Sequence, residues 1–334
     1  MPDDAAWMAR ALRLAARSLG CTWPNPGVGC VIVRDGQLLA EARHERCGDL
    51  HAETAALARC AQARAATVYV TLAPCTRPGR QPPCVDALIR AGVARVVAAI
   101  ADPMQDDPGP RLAAAGIAYE VGCLEALARH VHGGFLARVT RGRPRVTGKW
   151  ARSADGCLSA GPGQRTAISC PLAYALMRRR RRAFDAILVG AGTALVDDPW
   201  LTAPRPRWHG EVPGPLRLVV SRHARAALRN AAAPWLAIHA PGAGSGLAVA
   251  DPHDPAQVLH ALGAYGINEL LVEGGATVHR AWLPFYDRIE LYVGPEALGQ
   301  GLAAPPDPQP PLWQLEQPPR IVGRTLVARW TRRG

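Results

Sequence analysis

Lysine is almost absent from this sequence. The chain of 334 residues has 39 basic residues, and a single one of them, Lys149, is a lysine. Arginine serves most surface roles as well as lysine, so one retained lysine indicates a need for a compact ammonium group. Aromatic residues are also scarce, at 5%. This scarcity disfavours a nucleic-acid deaminase, because such proteins stack bases on aromatic side chains interleaved with basic ones.

Long apolar segments are missing as well. No apolar run approaches the length of a membrane helix, and the acidic start, residues 1–4, has no signal-peptide core. With 49% hydrophobic and 20% charged residues, the composition is that of a globular protein long enough for two domains. Nine cysteines in such a chain fit reduced thiols better than a disulfide framework. We therefore expect a cytoplasmic protein with no membrane partner.

The positive charge is concentrated in the second half. Residues 1–143 carry 17 basic against 13 acidic residues, and residues 144–334 carry 22 against 14. Guanidinium pairs bidentately with phosphate, so this excess suits a phosphorylated substrate and cofactor. Five consecutive arginines, 178–182, would point in all directions on a helix. We predict a mostly solvated helix with one or two functional arginines and no nucleic-acid partner.

Three metal-binding side chains and one acid form the main motif of the first half. His51 and Glu53 lie two residues apart, and Cys75 and Cys84 follow with eight residues between them. One imidazole and two thiolates fill three corners of a tetrahedral zinc site and leave the fourth for water, as in catalytic sites. In zinc deaminases, a glutamate two residues after the histidine carries protons and is not a ligand. The motif predicts a hydrolytic deaminase with Zn²⁺ as its cofactor.

The spacing of the cysteines departs from the usual deaminase signature, which has two residues between them. Cys75 follows a predicted strand and Cys84 opens a predicted helix, so the thiolates can converge if residues 76–83 loop outward. A non-catalytic zinc protein is disfavoured because the set supplies only three ligands and a glutamate. The remaining cysteines are predicted to be ordinary small residues: Cys21, Cys30, Cys47, Cys60, Cys123, Cys157 and Cys170.

The spacing of apolar residues predicts two α/β domains, 1–143 and 144–334, separated by the basic polar stretch 140–145. His51 and Glu53 are placed at the first turn of a helix, where both can face the metal. The other elements predicted for the first domain are a helix over 8–19, strands at 28–33, 67–72 and 95–100, a helix from residue 84 and a last helix around 123–137. Those predicted for the second domain are strands at 145–152, 186–189, 216–220, 235–239, 269–273 and 287–293, helices at 171–184, 255–264 and 276–282, a turn at 190–193 and a surface loop at 305–311.

Short motifs in both halves resemble those of one family. The first half contains PNPGVG at 24–29, HAE at 51–53, TLAPC at 71–75 and GRQPPC at 79–84. The second half contains Lys149, SADG at 153–156, LVGAGT at 188–193, DDP at 197–199, LT at 201–202 and VEGG at 272–275. With these motifs the whole chain resembles the bifunctional deaminase-reductases of riboflavin biosynthesis.

This resemblance implies a fold and two reactions. The fold is a three-layer α/β/α domain of the cytidine deaminase type followed by an α/β domain of the dihydrofolate reductase type. The first domain deaminates a pyrimidine that carries a ribosylamino phosphate, and the second uses NADPH to convert the ribosyl unit to ribityl. We also expect a homo-oligomer.

The resemblance also assigns roles to individual residues. His51, Cys75 and Cys84 hold zinc, and the catalytic residues are Glu53, Lys149 and Glu273. The substrate-binding residues are Asn25, Arg165, Arg181 and Leu201, with Arg181 on the phosphate. The cofactor-binding residues are Ala151, Ala167, Thr193, Asp197, Ser221, Gly274 and Gly275.

Several positions depart from the family pattern. Arg165 and Ala167 stand where the family often has a small polar residue or glutamine and a tryptophan, so a wall of the cofactor site is lost. The remaining departures are Ala73 in place of glutamate, Arg77-Pro78 in place of a histidine-containing pair, a shortened loop at 102–110, and Arg152 and Ala154 around Ser153. The alternative is a related enzyme of a secondary-metabolite pathway, such as azapteridine synthesis, with an altered or inactive second domain. The retained Lys149 favours an active reductase.

Overall fold

A computed structural model describes residues 4–204, 214–221, 235–241 and 246–333. The chain forms two compact units, Met1–Arg141 and Gly142–Gly334. The division lies close to the boundary predicted after residue 143. Within the described ranges, no helix is both long and apolar enough to cross a membrane.

The first unit is built on a five-stranded sheet with the order β2-β1-β3-β4-β5. Strand β1 runs antiparallel to β2 and β3, whereas β3, β4 and β5 are parallel. The elements of this unit are α1 (Asp4–Ala16), β1 (Gly29–Arg34), β2 (Gln37–Arg43), α2 (Ala52–Arg59), β3 (Thr67–Val70), α3 (Cys84–Ala91), β4 (Arg95–Ala98), α4 (Gly109–Ala114), β5 (Ala118–Val121), α5 (Glu125–Val131) and α6 (Gly133–Arg141).

Helices cover both faces of this sheet. Alternate residues of β1 enter two different cores, Ile32 on one face and Val31 on the other, because successive strand side chains point to opposite sides. The Ile32 core includes Leu88 of α3, and the Val31 core includes Leu12 of α1 and Phe135 of α6. The predicted three-layer α/β/α architecture is confirmed.

Most strands of the second unit join one large sheet, with the order β11-β10-β9-β8-β12-β6-β13-β17-β15 and with β16 paired to β17. Its elements are β6 (Arg145–Arg152), β7 (Cys157–Ser159), α7 (Pro171–Arg180), β8 (Ala186–Gly190), α8 (Ala191–Asp197), β9 (Leu216–Val220), β10 (Trp235–His239), β11 (Leu247–Ala248), α9 (Pro255–Tyr265), β12 (Glu269–Val272), α10 (Ala276–Trp282), β13 (Arg288–Val293), β14 (Leu302–Ala303), β15 (Trp313–Leu315), β16 (Arg320–Val322) and β17 (Thr325–Arg332). Short 3-10 turns follow α7 and α10.

The strands from β11 to β13 in this order are all parallel, and β17 and β15 add an antiparallel edge. Parallel strands direct their carboxyl ends to one edge of the sheet, where α/β folds bind their ligands. The predicted α/β class holds for this unit too. The ends of β8, β9 and β12 therefore mark the expected position of a binding cavity.

Three predictions about local structure are wrong. The last helix of the first unit is two helices, α5 and α6, and the predicted turn at 190–193 is the beginning of α8. The helix expected over 171–184 ends at Arg180 and continues as a 3-10 turn. Strand β5 was not predicted because it lies at the sheet edge and its residues are mostly exposed, which removes the apolar signal.

Candidate metal centre and active-site cavity

The predicted zinc ligands come from three separate elements of the first unit. His51 is the N-cap residue of α2, with extended backbone angles of φ −62° and ψ 156°. Cys75 lies in the loop that follows β3, and Cys84 is the first residue of α3. Strand β3 and the first turns of two helices thus bring the three side chains to one place.

The three ligand atoms lie close enough to share one metal ion. His51 Nδ1 is 3.3 Å from Cys84 Sγ and 3.6 Å from Cys75 Sγ. Sulfur and nitrogen ligands of a tetrahedral zinc, at bond lengths of about 2.3 Å and 2.0–2.1 Å, are separated by about 3.5 Å. In the described ranges this is the one group of three or more metal-ligating side chains within 4.8 Å of one another. The donor set therefore fits zinc.

Hydrogen bonds favour the ionised form of one thiol. Bonds from Cys84 and His51 lower the pKa of Cys75 to about 4, and the Cys84 amide donates to Cys75 Sγ over 3.2 Å. The same bond to Cys75 raises the pKa of His51. A thiolate that accepts several donors is prepared to bind a cation, because the thiolate is the form that ligates metals.

Glu53 lies at the first turn of α2, as predicted, and is 4% exposed. Burial raises its pKa to about 7. A metal cation bound nearby lowers such a value, because positive charge favours the carboxylate. Glu53 is therefore placed to carry a proton next to the ligand set without belonging to it.

Asn25, predicted to contact the pyrimidine, belongs to a polar group that includes a histidine the sequence did not reveal. The Asn25 amide nitrogen lies 3.5 Å from His44 Nε2 and 3.9 Å from Cys47 Sγ. His44 Nδ1 is 3.0 Å from the carbonyl oxygen of Leu50, and its ring meets the His51 ring edge-on at 5.7 Å. These contacts connect Asn25 to the metal site. No motif around His44 indicates this role.

Every residue that the sequence assigned to the reductase site lines one cavity of 1590 Å³ in the second unit. The cavity lies at the carboxyl ends of β8, β9 and β12, as expected for a parallel sheet. The lining includes Lys149, Ala151, Arg165, Ala167, Arg181, Thr193, Asp197, Leu201, Ser221, Glu273, Gly274 and Gly275.

Lys149, Glu273 and Arg181 form a charged cluster in this cavity. Arg181 Nε and Nη2 donate to the two oxygens of Glu273 over 2.9 and 2.8 Å, and the two side chains are 6% and 8% exposed. Burial would raise the pKa of Glu273, but Arg181 and Lys149 outweigh it and hold the pKa at about 2. Burial also lowers the pKa of Lys149, against the opposing charge of Glu273. Glu273 is thus a permanent carboxylate between two cations.

The contact with Glu273 changes what Arg181 offers to a substrate. Arg181 was predicted to bind phosphate, yet three of its five N–H groups are directed to Glu273 and to the carbonyl of Thr202. Arg178 lies one helical turn earlier and lines the same cavity. It has no ion-pair partner among the residues whose structure is described. Sequence reasoning did not single out Arg178.

The junction of β8 with α8 and the loop after β12 lie together at one side of the cavity. A Cβ atom at Gly190 or Gly274 would lie 2.7 or 2.5 Å from Val278 of α10, so both segments pack tightly on that side chain. A Cβ atom at Gly275 would lie 3.6 Å from Thr193 Oγ1. Thr193, Gly274 and Gly275, which were predicted to bind the cofactor, therefore lie close together.

Family models match both units. The cytidine and deoxycytidylate deaminase zinc-binding region matches residues 1–100, and the RibD C-terminal domain matches residues 144–323. The chain is 36% identical to the riboflavin biosynthesis protein RibD of Escherichia coli over 329 residues, which covers 89% of each chain. It is 34% identical to RibD of Aquifex aeolicus over 320 residues, or 90% of this chain and 89% of the relative.

Solved structures give the same result over the full length. RibD of Acinetobacter baumannii is 31% identical, covers 99% of each chain and superposes with a TM-score of 0.88. A diaminohydroxyphosphoribosylaminopyrimidine deaminase/5-amino-6-(5-phosphoribosylamino)uracil reductase of Thermotoga maritima is 29% identical with a TM-score of 0.87 over 99% of each chain. The zinc ligands, the charged cavity and these matches agree, and the chain belongs to the RibD family of riboflavin biosynthesis proteins.

Proposed function

We propose that this chain catalyses two steps of riboflavin biosynthesis on a phosphorylated aminopyrimidine: zinc-dependent hydrolytic deamination and NADPH-dependent reduction of the ribosyl group to ribityl. The observation that carries the proposal is that both site types occur in one chain. His51, Cys75 and Cys84 converge beside Glu53, and Lys149 lies in a separate cavity. The riboflavin biosynthesis proteins it matches correspond over most of their length.

Deamination replaces the ring amino group by oxygen from water and releases ammonia. His51, Cys75 and Cys84 would hold the zinc, which when bound would make a water acidic enough to attack at neutral pH. Glu53 accepts the proton of this water and delivers it to the ring nitrogen and to the departing amine. Burial raises the pKa of Glu53 in the metal-free chain, and a zinc ion bound nearby would lower it again, so the carboxylate form needed to accept the proton is favoured. Asn25 holds the pyrimidine from the side of His44.

Reduction opens the ribosyl ring: C1′ gains a hydride, and the ring oxygen gains a proton as its bond to C1′ breaks. NADPH supplies the hydride. Glu273 cannot donate the proton near neutral pH because its pKa is about 2. Lys149 is the remaining group of the cluster that can donate one, and its lowered pKa makes that transfer easier. Glu273 forms the ion pair with Arg181, and its charge stabilises the ammonium group of Lys149. Arg178 and Arg181, which line the same cavity, bind the phosphate.

Mass spectrometry of the products tests both steps. The purified protein is incubated with the aminopyrimidine ribosyl phosphate, with and without NADPH. We expect replacement of the amino group by oxygen in both samples and the addition of two hydrogens only when NADPH is present. A product that loses its amine but never gains hydrogen would contradict the reductase assignment. The relatives, which are riboflavin biosynthesis proteins, give no support to a secondary-metabolite pathway.

The proposal extends to partners and location. We propose a cytoplasmic homo-oligomer that binds no nucleic acid. None of the nine cysteines, all of which lie in the described ranges, forms a disulfide, which suits a reducing compartment. Arg180 and Arg181 are held by Glu290 and Glu273 instead of forming a continuous basic face. Leu172, Trp200 and Ile321 expose apolar surface on the second unit. Light scattering after size-exclusion chromatography measures the oligomeric state, and a monomer would refute that part.

A further inference from the structure

Hydrogen bonds join two segments of the first unit. One is the turn Thr76–Arg77, which directly follows the ligand Cys75, and the other is 105–111, which leads from the loop after β4 into α4. The bonds involve Gln105, Asp106 and Arg111. The turn after Cys75 is therefore held by a segment that begins 29 positions after Thr76 in the chain.

Gln105 is the centre of this contact. Its side-chain oxygen accepts hydrogen bonds from the amide of Thr76 over 3.2 Å, the hydroxyl of Thr76 over 3.4 Å and the amide of Arg77 over 3.3 Å. The side chain is half-buried. One oxygen atom thus collects three donors from the turn that directly follows the ligand Cys75.

Neighbouring residues complete the attachment. Arg111 Nη1 donates to the carbonyl oxygen of Thr76 over 2.8 Å, so all polar groups of Thr76 are bound by residues 105–111. Arg77 forms a bidentate pair with Asp106, with N–O distances of 3.1 and 2.7 Å. That pair is exposed, and exposed ion pairs contribute little. The half-buried Gln105 is the stronger part of the attachment.

The attachment reaches both cysteine ligands. Thr76 is bonded covalently to Cys75, and Arg111 also pairs with Asp86 in the first turn of α3, which Cys84 opens. The Cys75 carbonyl accepts a bond from Val85 over 3.3 Å. A displacement of the Thr76–Arg77 turn would therefore change the direction of the chain at Cys75 and the position of its Sγ relative to Cys84 and His51.

We propose that Gln105 is a positioning residue of the deaminase, which fixes the Thr76–Arg77 turn and thereby holds Cys75 Sγ in the geometry that zinc requires. The inference rests on the proposed zinc-dependent deamination. Gln105 itself touches no ligand atom of the metal and acts through the backbone. Because it is not part of the motif that marks the zinc site, the cysteine spacing alone does not reveal it.

Two substitutions at Gln105 separate its bonding from its bulk. Gln105→Ala removes the acceptor oxygen, whereas Gln105→Glu keeps an oxygen in the same place that accepts all three bonds. Gln62→Ala serves as the control, because Gln62 is an exposed glutamine of the same unit. The zinc-loaded full-length chains are mixed with excess chelator, and the rate of zinc release is measured. Deamination, and NADPH oxidation with the deaminated product supplied, are measured on separate zinc-loaded aliquots that have not met the chelator.

We expect Gln105→Ala to release zinc about three- to tenfold faster and to lower the kcat of deamination. The reason is that the backbone amides of Thr76 and Arg77 lose the oxygen that accepts their hydrogen bonds. Gln105→Glu and Gln62→Ala should behave as the wild type, and NADPH oxidation should be unchanged throughout. Unchanged zinc release in Gln105→Ala would overturn the proposal, and so would an equal defect in Gln105→Glu. The release rate does not depend on the organic substrate, so a wild type that fails to deaminate refutes the proposed function and leaves this test intact.

Discussion

Glu53 and the three zinc-ligand side chains have separate tasks in one site. The ligands bind through lone pairs that must be free of protons, whereas Glu53 must gain and lose a proton in each cycle. Burial raises the pKa of Glu53, and a bound cation would lower it, so the two effects oppose each other at this carboxyl group. The division leads to a test of Glu53.

Glu53→Gln should abolish deamination and keep the metal. The amide has the shape of the carboxyl group but cannot shuttle protons, and general acid–base catalysis of this kind contributes about 10²- to 10⁴-fold. Metal analysis and deamination kinetics measure the two properties, and NADPH oxidation by the same variant shows that the second unit is intact. Deamination at the wild-type rate would show that another group carries the proton.

The arginines of α7 and the following turn should differ in their effect on the reductase. Arg178 lines the cavity without an ion-pair partner in the described part of the chain, so Arg178→Ala should raise the KM for the phosphorylated substrate about 10- to 100-fold. Arg181→Ala should also lower kcat, because it leaves the Glu273 carboxylate buried with one cation fewer. Arg179 is exposed, and Arg179→Ala should have little effect.

A comparison with the dephosphorylated substrate identifies the group that Arg178 binds. If Arg178 contacts the phosphate, Arg178→Ala acting on the dephosphorylated substrate should lose no more activity than either change alone. The comparison has the form of a double-mutant cycle. Steady-state NADPH oxidation on both substrates provides the four rates. Additive losses would place Arg178 elsewhere in the cavity.

Glu273 should make the free energy of unfolding of the second unit depend on pH. Its pKa in the folded protein, about 2, lies below the usual 4.5, so its stabilising contribution is present above pH 4.5 and is lost as the pH falls toward 2. Glu273→Gln should unfold more easily at pH 7 and show less change between pH 5 and 2. Denaturant unfolding at these pH values measures the difference. Above pH 5 the rate of the wild-type reductase should not change through titration of Glu273. A pH–rate profile with a Glu273-dependent pKa between 4 and 5 would contradict the depressed pKa.

At the scale of elements, sequence patterns predict buried strands and helices well and fail at edges. Strands β1 and β8 are runs of mostly apolar residues in the interior, and the structure confirms them within one or two residues. Strand β6 has the predicted bounds although it also contains polar residues. The edge strand β5 has few apolar residues, and α8 begins in a short segment without helical periodicity, so neither carries a signal. The start of α5 is set by its N-cap residue Leu124, which takes a left-handed conformation with φ 55°.

The candidate sites follow the same division. His51 was predicted because residue type and spacing reflect its chemistry, and Thr193 was assigned through the family resemblance. His44 and Gln105 make contacts with residues distant in sequence, and Arg178 is brought to the cavity by the fold; one chain without an alignment does not reveal these placements. The ion pair of Arg181 with Glu273 is of this kind, since 92 positions separate its partners.

Strand β6 offers a test of how an element positions a catalytic side chain. Gly148 precedes Lys149, and a Cβ atom there would lie 2.3 Å from the ring of Tyr286, whose hydroxyl oxygen is 2.6 Å from His279 Nδ1. Gly148→Ala should therefore displace the strand or the ring, lower the free energy of unfolding by about 1–3 kcal/mol and reduce NADPH oxidation. Gly79→Ala is the control, because its Cβ would meet no atom of the described residues within 4 Å. Equal stability and activity in the two variants would show that Tyr286 can move without disturbing Lys149.

At the scale of the whole molecule, the two units carry separate chemistry and separate cores. The zinc ligands and Glu53 all lie before Arg141, and every residue assigned to the reductase lies after Gly142. The first unit buries apolar side chains on both faces of its own sheet, and the second has its own clusters around Ile187 and Tyr292. A unit with its own core and its own complete site has what it needs to fold and act alone.

Dividing the chain between Arg141 and Gly142 should therefore give two folded proteins. We expect residues 1–141 to bind zinc and deaminate the aminopyrimidine, and residues 142–334 to oxidise NADPH when given the deaminated product. The fragment 1–141 should unfold in one cooperative transition, because single domains of fewer than about 150 residues usually do. Circular dichroism during thermal unfolding tests the fold, and the two assays test the sites. The cut separates no residue from the partners named above for its site, so the KM of each fragment should stay within about threefold of the full-length value, a change of less than 1 kcal/mol. A fragment that folds but loses its reaction would mean that the other unit completes its site.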